Sequence, residues 1–137
     1  MTVVADTGAL YALIDRSDAW HARVLAWWKV NRQPLIVPVT VIPELTYLLQ
    51  ARIGATAEID FVRALVEGEF TTEPLEPEDL VRVASVMEHY ADMPLGFVDA
   101  TVIAIAERVE SREILTTDRR HFRIVKPIHA RAFVLSP

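Results

Sequence analysis

Apolar and polar positions along this chain switch between a strand-like and a helix-like period, and the switches divide it into elements. Thr2 to Ala5 is a short β-rich run that stops at Asp6-Thr7-Gly8. Helical spacing then carries Leu10, Leu13 and Ile14. Asp18 reads as the N-cap of a second helix with Val24, Leu25 and Trp28 on its apolar side. Leu35-Ile36-Val37 predicts a second strand between Pro34 and Pro38, and Pro43 fits the first turn of a helix through Leu45, Leu48 and Leu49. Ala55 to Glu67 is a further helix, with Ile59, Val62 and Val66 at helical spacing, ended by Gly68. Phe70-Thr71-Thr72 reads as a short strand. Pro77 opens a helix with Leu80, Val83, Ala84, Met87 and Tyr90 on one face. Phe97 to Val109 is apolar nearly all round, which predicts a buried helix. Glu113 to Thr116 and Ala132 to Leu135 complete the strands. Strands alternating with helices predict an α/β fold whose parallel sheet is covered on both faces.

Four carboxylates fall where these apolar runs give way to helical pattern: Asp6, Glu44, Asp99 and Asp118. In an open parallel sheet the carboxyl ends of the strands share one edge, where ligands bind. Acids from distant segments then meet in one pocket, and they need protons or cations to coexist there. Taken singly, each is also explained as a helix cap or a favourable charge at a helix start. The conjunction points further. Asp6 and Asp118 directly follow apolar strands, and Asp99 lies in the first turn of a helix almost free of charge. Glu58, Glu67, Glu76, Glu78 and Glu88 instead lie on polar faces or in loops. Clustered oxygen ligands suit Mg²⁺ or Mn²⁺, hence metal-assisted chemistry on a phosphodiester.

Composition narrows the class. The 137 residues suit a single domain spanning 1–137, and 52% apolar against 24% charged residues gives ample material for a core. A net charge of −5 argues against coating nucleic acid by bulk electrostatics and leaves room for a local basic groove. With no cysteine there are no disulfides or thiolate sites, which suits a cytoplasmic protein. No secretory signal is visible, and the longest apolar stretch, around Phe97 to Ala106, is too short for a membrane span.

Asp-Thr-Gly after the first strand, Pro-Glu at a helix start, Leu-Gly-Phe-Val-Asp-Ala and Thr-Thr-Asp-Arg-Arg-His-Phe together resemble the PIN-domain nucleases, most closely the VapC-type toxins of toxin–antitoxin pairs. The resemblance covers essentially the whole chain. It implies a three-layer α/β/α sandwich with a mostly parallel central sheet, and Mg²⁺- or Mn²⁺-dependent endoribonuclease activity in which metal-activated water hydrolyses RNA. It implies that Asp6, Glu44, Asp99 and Asp118 are the metal-binding and catalytic acids, supported by Thr7 and Thr117. Gly8 departs mildly from relatives that carry a small polar residue there, and one second hydroxyl is lost. A small VapB-like antitoxin and a homodimer are the implied partners. The alternative is a catalytically silent PIN-like module that binds RNA or protein.

The segment from Arg119 to Pro137 holds five Lys/Arg and no acid. Arg119 and Arg120, directly after Asp118, are the candidates for substrate phosphate, whose geometry arginine matches. His121 and Phe122 read as loop residues, the second an anchor in the core. Trp20, Trp27 and Trp28 cluster on or near one helix. Trp27 and Trp28 cannot face the same way, so one is expected on a partner-binding surface. Other α/β chemistries lack their residues. A haloacid-dehalogenase-type phosphatase needs a second Asp where Gly8 stands, a receiver domain needs an early acid pair and a late Lys, and a dinucleotide binder needs a glycine-rich turn.

Overall fold

A computed structural model describes residues 1–137. The elements run β1 (Val3–Ala5), α1 (Thr7–Ile14), α2 (His21–Val30), β2 (Leu35–Pro38), α3 (Val41–Arg52), α4 (Ala55–Val66), β3 (Thr71–Glu73), α5 (Pro77–His89), α6 (Phe97–Arg108), β4 (Glu113–Leu115), α7 (Arg119–Ile124) and β5 (Val134–Ser136). The five strands form one sheet in the order β3-β2-β1-β4-β5, with every pairing parallel. The sheet is thus parallel throughout, one step beyond the mostly parallel expectation.

Chain direction sets the layers. From β1 the chain steps outward to β2 and β3, and right-handed crossovers carry α1 to α4 onto one face. It then returns past β1 to β4 and β5, which puts α5 and α6 on the other. Helix contacts agree: α1 packs with α2 and α3, α3 with α4, and α5 with α6. The core between the layers includes Leu10, Leu45, Leu49, Ile103, Ile114 and Phe122, all fully buried. Ala100 to Glu107 of α6 is buried without a break, as its all-round apolar pattern predicts. No helix of the structure is long and apolar enough to cross a membrane.

Two ion pairs pin α5 to α6. Arg82 makes a forked pair with Glu107 (2.8 and 2.9 Å), whose side chain is almost wholly buried. Arg108 joins the buried Asp79 (3.0 Å) to Glu73 (2.7 Å). Asp79 also accepts the Glu76 N–H at 2.9 Å, so one carboxylate both caps α5 and anchors α6.

Several local expectations change. The second helix begins at His21 rather than after Asp18, whose carboxylate instead accepts the Trp20 N–H in the preceding turn. Trp20, Trp27 and Trp28 are all half-buried against the core, so neither of the adjacent pair is a free surface side chain. Trp28 packs on Phe70 at 5.3 Å. Residues 119–124, expected as loop, form α7, with Phe122 as its buried anchor. The last strand is shifted to Val134–Ser136.

Candidate active site

β1 and β4 are neighbours whose outgoing connections leave in opposite directions, the first toward β2 and the second toward β5. A crevice opens at such a switch point beyond the strand ends. Asp6 follows β1 and Thr116-Thr117-Asp118 follows β4, so both segments enter that crevice. The backbone joins them, with the Asp6 N–H donating to the Leu115 carbonyl at 2.9 Å.

Asp6 is the most constrained acid. It is 6% exposed, at the N-cap of α1. One oxygen, Oδ2, accepts the Thr116 hydroxyl at 2.7 Å, and that hydroxyl in turn accepts the Asp118 N–H at 2.9 Å. Burial pushes the Asp6 carboxyl up from 3.8 to about 7, opposed by the Thr116 hydrogen bond and reinforced by the charges of Asp99 and Asp118. Asp99 is half-buried in the first turn of α6. Its carboxyl is also raised, by burial first and then by the charges of Asp118 and Glu44, while the Gly96 N–H and His121 oppose. Glu44 is exposed in the first turn of α3. Thr40, just before α3, bonds Thr101 of α6 hydroxyl to hydroxyl at 2.6 Å, which fixes those two helix starts together. Asp118 caps α7 by accepting the His121 N–H at 3.2 Å, and its Oδ2 takes the His121 ring Nδ1–H at 2.6 Å.

Asp6 thus feels the charges of Asp99 and Asp118 from the floor of the crevice, and Asp99 feels those of Asp118 and of Glu44 at the rim. No three His, Asp or Glu side chains lie close enough to cage an ion by themselves. An all-oxygen set of this kind still suits Mg²⁺, which keeps several waters and takes only one or two carboxylates. Asp6 has a physical reason to accept a cation: a buried carboxyl repelled by two neighbours loses that repulsion when one binds.

Of the supporting residues, Thr7 is buried and its hydroxyl has no partner. The hydroxyl that bridges the acids is that of Thr116, which sequence reasoning passed over because it reads as the end of a strand. Thr117 Oγ1 instead lies over Gly8, 2.8 Å from where a Cβ at that position would sit. Gly8 therefore lets the β4–α7 turn close onto the start of α1. Arg119 is half-buried and engaged within the fold: its guanidinium donates to the Pro137 carbonyl and lies over the Trp20 ring at 5.8 Å. Arg120 is exposed. His121, read as a loop residue, holds Asp118.

Comparison with known proteins places this geometry in a lineage. The PIN domain pattern matches residues 3–127. The chain is 33% identical to Ribonuclease VapC26 of Mycobacterium tuberculosis over 135 residues, 98% of this chain and 100% of that protein. Its fold superposes on Mycobacterium tuberculosis VapC20, described as a sarcin-ricin loop cleaving toxin, with TM-score 0.80 at 19% identity, covering 94% of this chain and 98% of that one. VapBC2 of Rickettsia felis, bound to a DNA fragment from its promoter, gives 0.70 at 11% identity over 99% and 98%. FitAcB of Neisseria gonorrhoeae gives 0.66 at 14% over 85% and 88%. A PIN pattern over residues 3–127 and a VapC relative matched along nearly the whole length settle the descent: this chain belongs to the PIN-domain family and, within it, to the VapC type.

Proposed function

We propose that this chain is a divalent-metal-dependent endoribonuclease, the toxin of a toxin–antitoxin pair, and that Asp6, Glu44, Asp99 and Asp118 carry its chemistry. The observation that carries the reading is Asp6: a buried carboxyl at the sheet's switch point, held by Thr116 and pushed up to about 7 beside two other acids. A fold alone has no use for that arrangement, whereas a cation site does. Mg²⁺ or Mn²⁺, when bound, supplies Lewis acidity that acidifies a water and offsets charge gathering on the phosphoryl oxygens.

Each residue of the chain has a part beside it. Asp6 and Asp99 would hold the ion. Thr116 fixes the rotamer of Asp6 and the backbone of Asp118 at once, so two acids from opposite ends of the chain keep one spacing. Asp118, with one oxygen tied to the His121 N–H and the other to its ring, presents its carboxylate in a set direction. Glu44, at the rim, orients the attacking water or takes its proton. Arg120 draws the RNA backbone toward an otherwise acidic crevice, and Arg119 steadies the start of α7.

The VapC-type lineage supports a small antitoxin as partner. A cavity of about 520 Å³ between α1, α2 and α4, lined by Leu13, Leu25, Trp28, Phe61 and Phe70 among others, offers it an apolar seat. Exposed Ile59 and Val62 on α4, beside Ile42 of α3, offer a surface to a second copy.

The test is cleavage of a mixed RNA pool by antitoxin-free protein in Mg²⁺, Mn²⁺ or EDTA, beside an Asp99→Asn variant. Metal-dependent cuts abolished in the variant are expected. Cuts that persist in EDTA, or in the variant, would overturn the mechanism. Metal binding with no cleavage of any RNA would favour a silent binding module.

A further inference from the structure

A second feature lies between the segments that lead into Asp99 and out of Asp118. Arg82, Ser85 and His89 of α5, with Tyr90 and Lys126, line a notch of about 230 Å³. No acid lines it. The wall is built rather than accidental. The Tyr90 hydroxyl accepts the Lys126 N–H at 2.9 Å, joining the end of α5 to the chain that leaves α7. The His89 ring stands edge-on to Tyr90 at 4.6 Å. Arg82 is held in the wall by its forked pair with Glu107, which engages Nε and Nη2 and leaves Nη1 without a side-chain partner. Because the Tyr90 oxygen accepts from Lys126, its own O–H remains free to donate.

The lining therefore offers a cation at Lys126, the remaining N–H donors of Arg82, whose charge Glu107 balances from behind, and ring and hydroxyl donors at His89, Ser85 and Tyr90. That is the chemistry of a phosphate seat. Its place follows from the chain. α7, capped by Asp118, runs six residues from Arg119 to Ile124, about 9 Å of helix, with Lys126 two residues further on. Tyr90 precedes Asp99 by a short loop.

We propose that this notch binds a backbone phosphate of the RNA, a few nucleotides from the one being cut, and so holds the strand across the crevice. The proposal rests on the ribonuclease reading above. In a chain of net charge −5, a polyanion needs such a local anchor. Contact with a phosphate carries no base information, so the notch sets register and affinity and leaves sequence choice elsewhere.

The experiment uses full-length chain carrying Asp99→Asn and a fluorescent single-stranded RNA, with anisotropy read between about 50 and 200 mM salt. Lys126→Gln with His89→Gln is expected to weaken binding about fivefold at the lower salt and to flatten the salt dependence by about one phosphate contact. Ser85→Glu, which sets a charge against the phosphate, is expected to weaken it further. Arg63→Gln on α4 is the control and should bind as the parent does. In the cleaving protein, the same changes should raise KM with kcat kept. If Lys126→Gln/His89→Gln and Ser85→Glu match the parent while the parent binds and cuts RNA, the notch assignment falls alone. If the parent neither binds nor cuts any RNA, the ribonuclease reading falls and the notch assignment with it.

Discussion

Replacing Asp6 by asparagine should make the metal-free protein more stable, and by an amount that depends on pH. Asp6 is 6% exposed, and its carboxyl is pushed from 3.8 to about 7 chiefly by burial. Over that interval the folded chain keeps a proton that the unfolded chain gives up. Stability is therefore full below about pH 4, falls as pH rises toward 7, and levels off above about 8. The interval is roughly 3 pH units at about 1.4 kcal/mol each, so ionised Asp6 costs about 4 kcal/mol at pH 8. The asparagine side chain keeps the shape, carries no charge, and its carbonyl oxygen can still accept the Thr116 hydroxyl. Urea unfolding in EDTA at pH 5 and pH 8 reads the effect. The variant should gain about 3 kcal/mol on the wild type between those two values, because part of the cost is already present at pH 5. Added Mg²⁺ should then stabilise the wild type and leave the variant unmoved. A variant no more stable than wild type at pH 8, or a difference that does not grow with pH, would refute the account of Asp6 as a carboxyl strained by its surroundings.

Two further substitutions probe what surrounds the acids. Thr116→Val removes the hydroxyl that donates to Asp6 and accepts from Asp118. It should cost about 1 to 3 kcal/mol in unfolding experiments and lower kcat in the RNA assay by about tenfold or more, whereas Thr116→Ser should recover most of both. Arg108→Ala strands the buried Asp79 carboxylate and should destabilise by about 3 kcal/mol, measured by urea midpoint, with cleavage of RNA by the folded fraction unchanged.

The strands that end at acids were legible because each needs only local signals. Val3-Val4-Ala5 and Ile114-Leu115 are apolar runs, and the polar residues that follow, ending at Asp6 and Asp118, break the pattern at the sheet edge. α6 was legible for the same reason, since a run apolar on all sides has one place to go. Features that rest on partners far along the chain were not. α7 has one buried residue, Phe122, in six, and its start depends on Asp118 capping it. Nothing in the sequence separates Thr116 from Thr117 until β4 is in register and one hydroxyl turns inward to Asp6. Arg82 and Arg108 meet acids on other elements, 25 residues away for Glu107 and 29 for Asp79. The tryptophan pair misled in the opposite direction. Adjacent side chains on a helix must diverge, yet both pack in part against the core.

The bond between Thr116 and Asp6 joins residues 110 positions apart. β1 sits at the centre of the sheet, yet its partner β4 is one of the last elements to be synthesised. On the ribosome, β1 and β2 can pair early, but the carboxylate at the end of β1 has no Thr116 to hold it and no Asp118 beside it. Pairing at such long separation is slow to form and is completed last. A nascent or truncated chain that ends before β4 therefore lacks the assembled acid cluster. If the four acids carry the proposed cleavage, that activity can begin only when nearly the whole polypeptide has emerged and β4 has closed against β1.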